Sequence, residues 1–346
     1  MTAVGIIGCG AISKFHQEGY ERAGASIVHV CDVRADAARA VGDRYKAKAS
    51  TDYHVLLDDP NVKLVSICTI ASTHKEIALA AIQAGKGVIC EKTLTDNPAD
   101  SADIVRAAQS SKSFFATAFM KRFYPATVQA KKLLGAMGRV ISVYARSWQP
   151  WDLWNPELTP DQTTFPSHIK RGYGGGVLVC GGSHILDLLQ HLVGQPTQVV
   201  GQMHTRAGMD VDIQANAMLW YESGAIAHLE TCWHPLKLAG YERNGWDERL
   251  EINTVSGRLD IYTTIWNRPG ENGALLVHQA NDGKTTEYRY PGTNPFDVEM
   301  ATMVKRFESG EPASPSAWDG YAVDEVIDTI TRSSKENAVL PVKWRV

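Results

Sequence analysis

Three short segments of the chain combine residue types that can do chemistry. The first is the glycine-rich string GCGAIS at 8–13, the second is EKT at 91–93, and the third is a glycine-rich segment at 174–187 that contains a histidine and an aspartate. Glycines let a phosphate approach the backbone closely, and lysine or histidine can transfer a proton when its pKa lies near the working pH. Together the segments predict a bound phosphate compound and a proton-transfer step.

The string at 8–13 has the context of a dinucleotide-binding turn. It follows an apolar run at 3–9 and opens a helical pattern, although Ser13 occupies the third glycine position. Asp32 ends the next apolar run, 19 residues after Ser13, where its carboxylate can accept hydrogen bonds from a ribose and would repel a 2′-phosphate. The pattern favours NAD over NADP, while Arg34 could hold the additional phosphate of NADP. A purely structural turn is the alternative.

Lys92 directly follows a predicted strand at 88–91. Open α/β sheets bind their ligands outside the carboxyl ends of the strands, so we expect this lysine to point toward the cofactor. A neighbouring cationic nicotinamide and partial desolvation would lower its pKa and suit it to proton transfer. An ordinary surface lysine is the alternative.

His184 enters a predicted helix at 183–193 whose other face is apolar. Asp187 lies three residues further along on the same face, where its carboxylate could orient the imidazole. A capping or core histidine is the alternative interpretation. Cys180 and His184 could also bind a metal, but no clear third ligand accompanies them, so we predict no metal site.

The elements that must position these residues change in kind along the chain. Up to residue 122, short apolar runs alternate with helical patterns, which predicts an α/β Rossmann domain with a doubly wound parallel sheet over 1–122. From 123 onward, a helix at 125–134 precedes long segments with a period of two. They predict an α+β domain over 123–346 with a large, mainly antiparallel open sheet, which would bind substrate and build oligomers.

Composition excludes several classes of protein. The chain has 346 residues, 44% of them hydrophobic, and a formal net charge of −3 without a basic stretch, which argues against a nucleic-acid binder. No apolar run approaches the length that spans a bilayer, and a strand from about residue 3 leaves no room for a signal peptide. Six cysteines without a Cys-x-x-Cys pair suit a reducing compartment, so we expect a cytoplasmic protein.

The order of the motifs resembles the Gfo/Idh/MocA oxidoreductase family of sugar and inositol dehydrogenases. Besides the three segments, the resemblance rests on 69–74, on RFYP at 122–125 and on NPF at 294–296, and it covers essentially the whole chain. It implies an NAD-dependent dehydrogenase that oxidises a hydroxyl of a sugar or polyol. By resemblance, Lys92 contacts substrate and shuttles a proton, and His184 is the general acid/base. The family's open sheet commonly builds homodimers or homotetramers.

The cofactor-binding candidates lie at the predicted carboxyl ends of the first strands. They are Gly8, Gly10, Ala11, Ile12, Asp32, Val33, Arg34, Thr69, His74, Glu91 and Lys92. The substrate-binding candidates are Lys92, Arg122, Tyr124, Trp151, His168, Arg171, Cys180, His184 and His234. Trp151 is the middle one of three tryptophans spaced by three residues, and such indole faces can stack on sugar C–H groups or anchor a loop or subunit contact.

Two departures from the family pattern affect the expected chemistry. Thr93 stands where the family usually has proline, and Cys180 stands where inositol-dehydrogenase-like members carry an aspartate. A thiol is a poor hydrogen-bond acceptor and cannot replace a carboxylate. Oxidation of an aldose to a lactone and of a cyclic polyol to a ketone both stay open. The alternative functions are a lyase or isomerase with transient oxidation and tightly held NAD, and a non-catalytic NAD(H)-binding regulatory protein.

Overall fold

A computed structural model describes residues 1–151, 175–207, 209–266, 268 and 271–346. Internal contacts divide the chain into two compact units. The first unit comprises Met1–Met120, Phe296–Asp324 and Arg345–Val346, and the second comprises Lys121–Pro295 and Glu325–Trp344. The segment 296–324 therefore belongs with the first unit by its contacts, whereas the domain limits of 1–122 and 123–346 stay a prediction.

The first unit is built on a six-stranded parallel sheet. Its strands are β1 (Ala3–Ile7), β2 (Ser26–Cys31), β3 (Lys48–Ser50), β4 (Leu64–Ile67), β5 (Gly87–Cys90) and β6 (Phe115–Thr117). The helices between them are α1 (Ser13–Arg22), α2 (Ala35–Tyr45), α3 (Tyr53–Leu57), α4 (Ala71–Gln83) and α5 (Pro98–Ser111). The strand order β3-β2-β1-β4-β5-β6 is that of the Rossmann fold, which confirms the prediction for this part of the chain.

The central strands of this sheet are buried on both faces. Every residue of β4 and β5 is buried, as a parallel sheet covered by helices requires. This explains why these strands are nearly continuous apolar runs in the sequence. The carboxyl ends of β1, β2, β4 and β5 share one edge of the sheet, and the turns that follow them carry the cofactor-binding candidates.

The second unit contains a nine-stranded sheet. Its strands are β7 (Val140–Gln149), β8 (Pro196–Thr205), β9 (Asp212–Tyr221), β10 (Ile226–Trp233), β11 (Asp247–Thr254), β12 (Gly257–Tyr262), β13 (Leu275–Ala280), β14 (Thr285–Arg289) and β15 (Leu340–Pro341). The order is β14-β13-β12-β11-β7-β10-β9-β8-β15. Strands β7 and β10 pair in parallel, and the other described pairs are antiparallel. The predicted large, mainly antiparallel sheet is confirmed.

Four further α-helices are described beyond the first 120 residues. They are α6 (Pro125–Leu134), α7 (Ser183–Leu192), α8 (Pro295–Ser309) and α9 (Ala317–Glu336). Nearly all of α8 and the start of α9 belong to the first unit. A π-helical turn, Leu178–Gly182, runs directly into α7. Alternate residues of β7 are buried from Val143 onward, so one face of the sheet is covered and Tyr144 on the other is 54% exposed. In the described part of the chain, no helix is long and apolar enough to cross a membrane.

Candidate active site

The turn between β1 and α1 leaves part of its backbone accessible. Gly8 has a φ of +92°, and a Cβ there would lie 2.5 Å from the carbonyl oxygen of Cys68, so only glycine fits. At Gly10, apart from its two chain neighbours, no heavy atom of the described residues lies within 4 Å of an added Cβ. The hydroxyl of Ser13 donates to the Gly10 carbonyl at 2.6 Å, which closes the turn that leads into α1. The backbone at Gly10 is thus open to a ligand at the N-terminus of a helix.

Asp32, just after β2, is fixed beside this turn by two backbone groups. Its Oδ2 accepts the N–H of Cys9 at 2.7 Å, and its Oδ1 accepts the N–H of Arg34 at 2.9 Å. A carboxylate has further lone pairs that can accept ribose hydroxyls. Val33 is 88% exposed beside it. The residues present therefore fit the adenosine side of NAD, and the ribose contacts of Asp32 stay a prediction.

A buried histidine holds the residue before Lys92. Glu91 follows β5, is 6% exposed, and accepts a hydrogen bond from Nε2 of His16 on α1 at 2.8 Å. The other carboxylate oxygen accepts the N–H of Lys92 at 3.2 Å. Burial lowers the pKa of His16, but the contacts with Cys68 and with Glu91 outweigh burial and raise this pKa above its usual value. The pair links the helix of the glycine-rich turn to the segment that carries Lys92.

His74 ties the same segment to a second turn. Its Nδ1 lies 3.1 Å from the carbonyl oxygens of Thr93 and Leu94, and its Nε2 lies 3.1 Å from the carbonyl oxygen of Thr69. The ring is buried, and burial lowers its pKa. The peptide bond between Lys92 and Thr93 is cis. The described contacts of His74 are with backbone, and its role in cofactor binding stays a prediction.

His184 is the second residue of α7, in the second unit. Cys180 lies in the preceding π-helical turn, where it packs against a buried apolar cluster around Trp233. Gly181 approaches β7 so closely that a Cβ would lie 2.5 Å from Nε2 of Gln149. The glycines before His184 therefore allow its helix to begin against the sheet.

The carboxylate of Asp187 is bound by an arginine. Nε of Arg122 lies 3.0 and 2.9 Å from the two carboxylate oxygens, and Nη2 lies 2.5 Å from Oδ1. Arg122 is 7% exposed and Asp187 is fully buried. This bidentate pair fixes α7 to the segment just before α6. Arg122 was predicted to bind substrate, and the structure places its guanidinium on Asp187; the substrate role stays a prediction.

The remaining substrate candidates are placed as follows. The hydroxyl of Tyr124 is buried and donates to the carbonyl of Thr264 at 3.3 Å, and burial raises the pKa of this phenol. Trp151 packs on Trp233, with ring centroids 5.2 Å apart. His234 is 3% exposed, its Nδ1 accepts the N–H of Leu236 at 3.0 Å, and burial lowers its pKa. His168 and Arg171 lie outside the described residues. All of these roles stay predictions.

Sequence reasoning missed two residues that support the candidates. His16 had a local signal, because it lies three residues after Ser13 on α1 and both face the interior. Asp212 had no local signal, because it begins β9 and its partner, the N–H of Leu178, lies 34 residues earlier.

Comparison with known proteins identifies the class of this protein and then its family. Residues 2–119 match the model of an oxidoreductase family with an NAD-binding Rossmann fold. Residues 127–260 match the model of the GFO/IDH/MocA C-terminal domain. The two matches cover more than half of the chain, which belongs to the GFO/IDH/MocA family of oxidoreductases. The predicted family, enzyme class and cofactor NAD are confirmed.

Several proteins named as dehydrogenases resemble the chain over nearly its full length. It is 26% identical over 337 residues to myo-inositol 2-dehydrogenase of Thermotoga maritima, covering 92% of this chain and 91% of the relative. It is 27% identical over 394 residues to levoglucosan dehydrogenase of Pseudarthrobacter phenanthrenivorans, with 98% and 97% covered. A solved structure of levoglucosan dehydrogenase in complex with NADH and levoglucosan shares the fold, with a TM-score of 0.85, 24% identity, and 99% and 100% of the two chains covered.

Proposed function

We propose that this protein is an NAD-dependent dehydrogenase that oxidises a hydroxyl group of a sugar or a sugar-like polyol. The observation that carries the proposal is the sheet edge of the first unit. There the open turn at Gly10, the carboxylate of Asp32 and the segment with Lys92 follow β1, β2 and β5. This edge is where an open α/β sheet binds a dinucleotide and presents groups to its reactive end. The relatives named for inositol and levoglucosan support the substrate class.

The chain's residues divide the work of the reaction. Asp32 holds the adenosine ribose, and the backbone at Gly10 holds the diphosphate. Bound NAD supplies the acceptor for the hydride that leaves the carbinol carbon. Lys92 contacts the hydroxyl oxygen, and the imidazole of His184, together with Lys92, removes the hydroxyl proton. Cys180 supplies no carboxylate, and its sulfur is a weak hydrogen-bond acceptor, so His184 works without a carboxylate at that position.

Lys92→Met tests this assignment. The variant keeps the length and the apolar stem of the side chain and removes the charge, so we expect kcat to fall by about 10²–10⁴-fold while NAD still binds. The kcat of His184→Asn should fall by a similar factor. Steady-state kinetics together with cofactor titration by fluorescence would check both variants, and near wild-type turnover in Lys92→Met would overturn the assignment.

Two further properties belong to this proposal. We place the enzyme in the cytoplasm, because Cys31, Cys68 and Cys90 are buried within or just beyond the strands of the first unit, as suits reduced thiols. We also propose a homodimer or homotetramer through the open face of the nine-stranded sheet, where Tyr144 stacks on His228 with ring centroids 4.9 Å apart. Tyr144→Asp should then lower the mass seen by light scattering, and an unchanged mass would exclude this face.

The two alternative functions find no support among the named relatives, which are dehydrogenases. A lyase or isomerase would keep its NADH in the site, and a regulatory protein would not turn over. Release of NADH separates both from the proposed function.

A further inference from the structure

Asp212, the first residue of β9, holds the start of the helical segment that carries His184. It lies in the second unit and is 5% exposed. Its Oδ2 accepts the backbone N–H of Leu178 at 3.0 Å. Leu178 begins the π-helical turn, and α7 follows this turn without a break.

The helical segment lacks a cap of its own at this end. The first N–H groups of a helix have no acceptor within the helix, and Ser, Thr, Asp or Asn usually supplies one at the preceding position. Here that position is Val177, which is apolar and buried. The acceptor comes instead from Asp212, on a strand 34 residues further along the chain.

The carboxylate also explains a glycine. A Cβ at Gly176 would lie 1.9 Å from Oδ1 of Asp212 and 2.5 Å from its backbone oxygen, far inside van der Waals contact. The carbonyl of Gly176 accepts the N–H of Cys180 at 2.8 Å. Gly176 therefore both makes room for the carboxylate and forms the first hydrogen bond of the turn.

The position of Asp212 is itself fixed by packing. Its chain neighbours Val211 and Ile213 are buried in one cluster with Val177 and Trp233, and Cys180 packs against this cluster. Side chains in such a cluster have little freedom to move. A small shift of β9 therefore cannot bring another acceptor to the N–H of Leu178.

We propose that Asp212 is a positioning residue for His184, acting through the N–H of Leu178 and the π-helical turn. The inference rests on the proposed role of His184 as proton acceptor. A π-helical turn accommodates one residue more than an α-helical turn. If the turn relaxed to an α-helix, the following residues would rotate by about 100° relative to its start. The cap keeps the π-helical form and therefore the direction of the His184 side chain.

The test compares Asp212→Ala, Asp212→Asn and Gly176→Ala with Asp210→Ala, an exposed acidic residue two positions earlier. The alanine at 212 removes the acceptor, so we expect kcat to fall about 100-fold, with the Kd for NAD changed less than twofold. The asparagine keeps an acceptor oxygen and should restore kcat to within about fivefold of wild type. Gly176→Ala should resemble Asp212→Ala, and Asp210→Ala should resemble wild type.

A spectroscopic readout separates this proposal from the proposed function. The imidazole resonance of His184, assigned by its absence in His184→Asn, should shift in Asp212→Ala and return in Asp212→Asn. An unchanged resonance or wild-type kcat in Asp212→Ala would overturn the positioning role, as would a resonance that Asp212→Asn fails to restore. If the alanine variant does not fold, Gly176→Ala and Asp212→Asn decide by the same two readouts. If the resonance shifts but His184→Asn retains full turnover, the proposed function fails instead.

Discussion

Lys92 and His184 are supported by contacts of different kinds. The segment of Lys92 is held in the first unit by two buried histidines, His16 and His74, on the helices that follow β1 and β4 of a regular parallel sheet. His184 is held in the second unit by side chains from other parts of the chain, Asp212 on β9 and the arginine that binds Asp187. Both supports include charged or titratable groups. The support of His184, however, depends on an ion pair and a helix cap between distant segments, which no repeating sequence pattern predicts.

This difference predicts how strongly mutation affects folding in addition to rate. Around His184, removal of a support leaves a buried charge or an uncapped helix, so stability should fall together with the rate. Around Lys92, the sheet itself fixes the strand, so loss of a histidine should mainly misplace the lysine.

The largest expected effect is on the stability of the second unit. Arg122→Met leaves the fully buried carboxylate of Asp187 without its guanidinium, and breaking a buried pair in this way costs ~3–5 kcal/mol. The free energy of unfolding in urea would measure the loss. Arg332→Met is the matched control, because its pair with Asp328 is partly exposed within one helix and should cost only ~0.5 kcal/mol. Equal losses of unfolding free energy in Arg122→Met and Arg332→Met would contradict this expectation.

The next effect concerns the segment of Lys92. His16→Ala removes the donor to Glu91, and a misplaced catalytic group can cost about 10²-fold, so we expect kcat to fall by one to two orders of magnitude. His29→Ala is the control, since this buried histidine of β2 pairs with another carboxylate, Asp59. Both variants should lose stability, but kinetics should show a loss of kcat in His16→Ala alone. A parallel loss in both would mean that His16 acts only on folding.

The smallest effect is the pH dependence of Asp212. Burial raises the pKa of this carboxyl group from 3.8 to about 6. The native state therefore binds more protons than the unfolded state between these values, and the stability contributed by this group falls as pH rises through that range. Asp212→Asn should remove the fall, so its stability relative to wild type should rise by ~1 kcal/mol from about pH 5 to about pH 7.5. Urea unfolding at both pH values checks this, and a constant difference would contradict it.

The sequence predicts the first unit well because its signals are local. The apolar strands and the glycines at 8 and 10 follow one another within a few residues, and Asp32 closes the next strand. Each of these features is dictated by a turn or by burial on two faces. His16 could be predicted from the sequence in principle, because it is a polar residue on the buried side of α1.

The second unit is harder to predict because its contacts span long stretches of chain. The period of two identified its sheet, but the parallel pairing of β7 with β10 has no signature in either strand alone. Asp187 was considered a partner of His184, and the structure shows its carboxylate on Arg122, 65 residues earlier. Such pairings arise only when the fold brings distant segments together.

The central claim is best tested by NADH release from wild-type enzyme, followed by absorbance, with aldoses, inositols and sugar acids and with each of NAD and NADP. We expect sustained NADH formation with at least one sugar or polyol and a preference for NAD, because Asp32 repels a 2′-phosphate. Binding of NAD and of a sugar without release of NADH from any substrate would contradict the account.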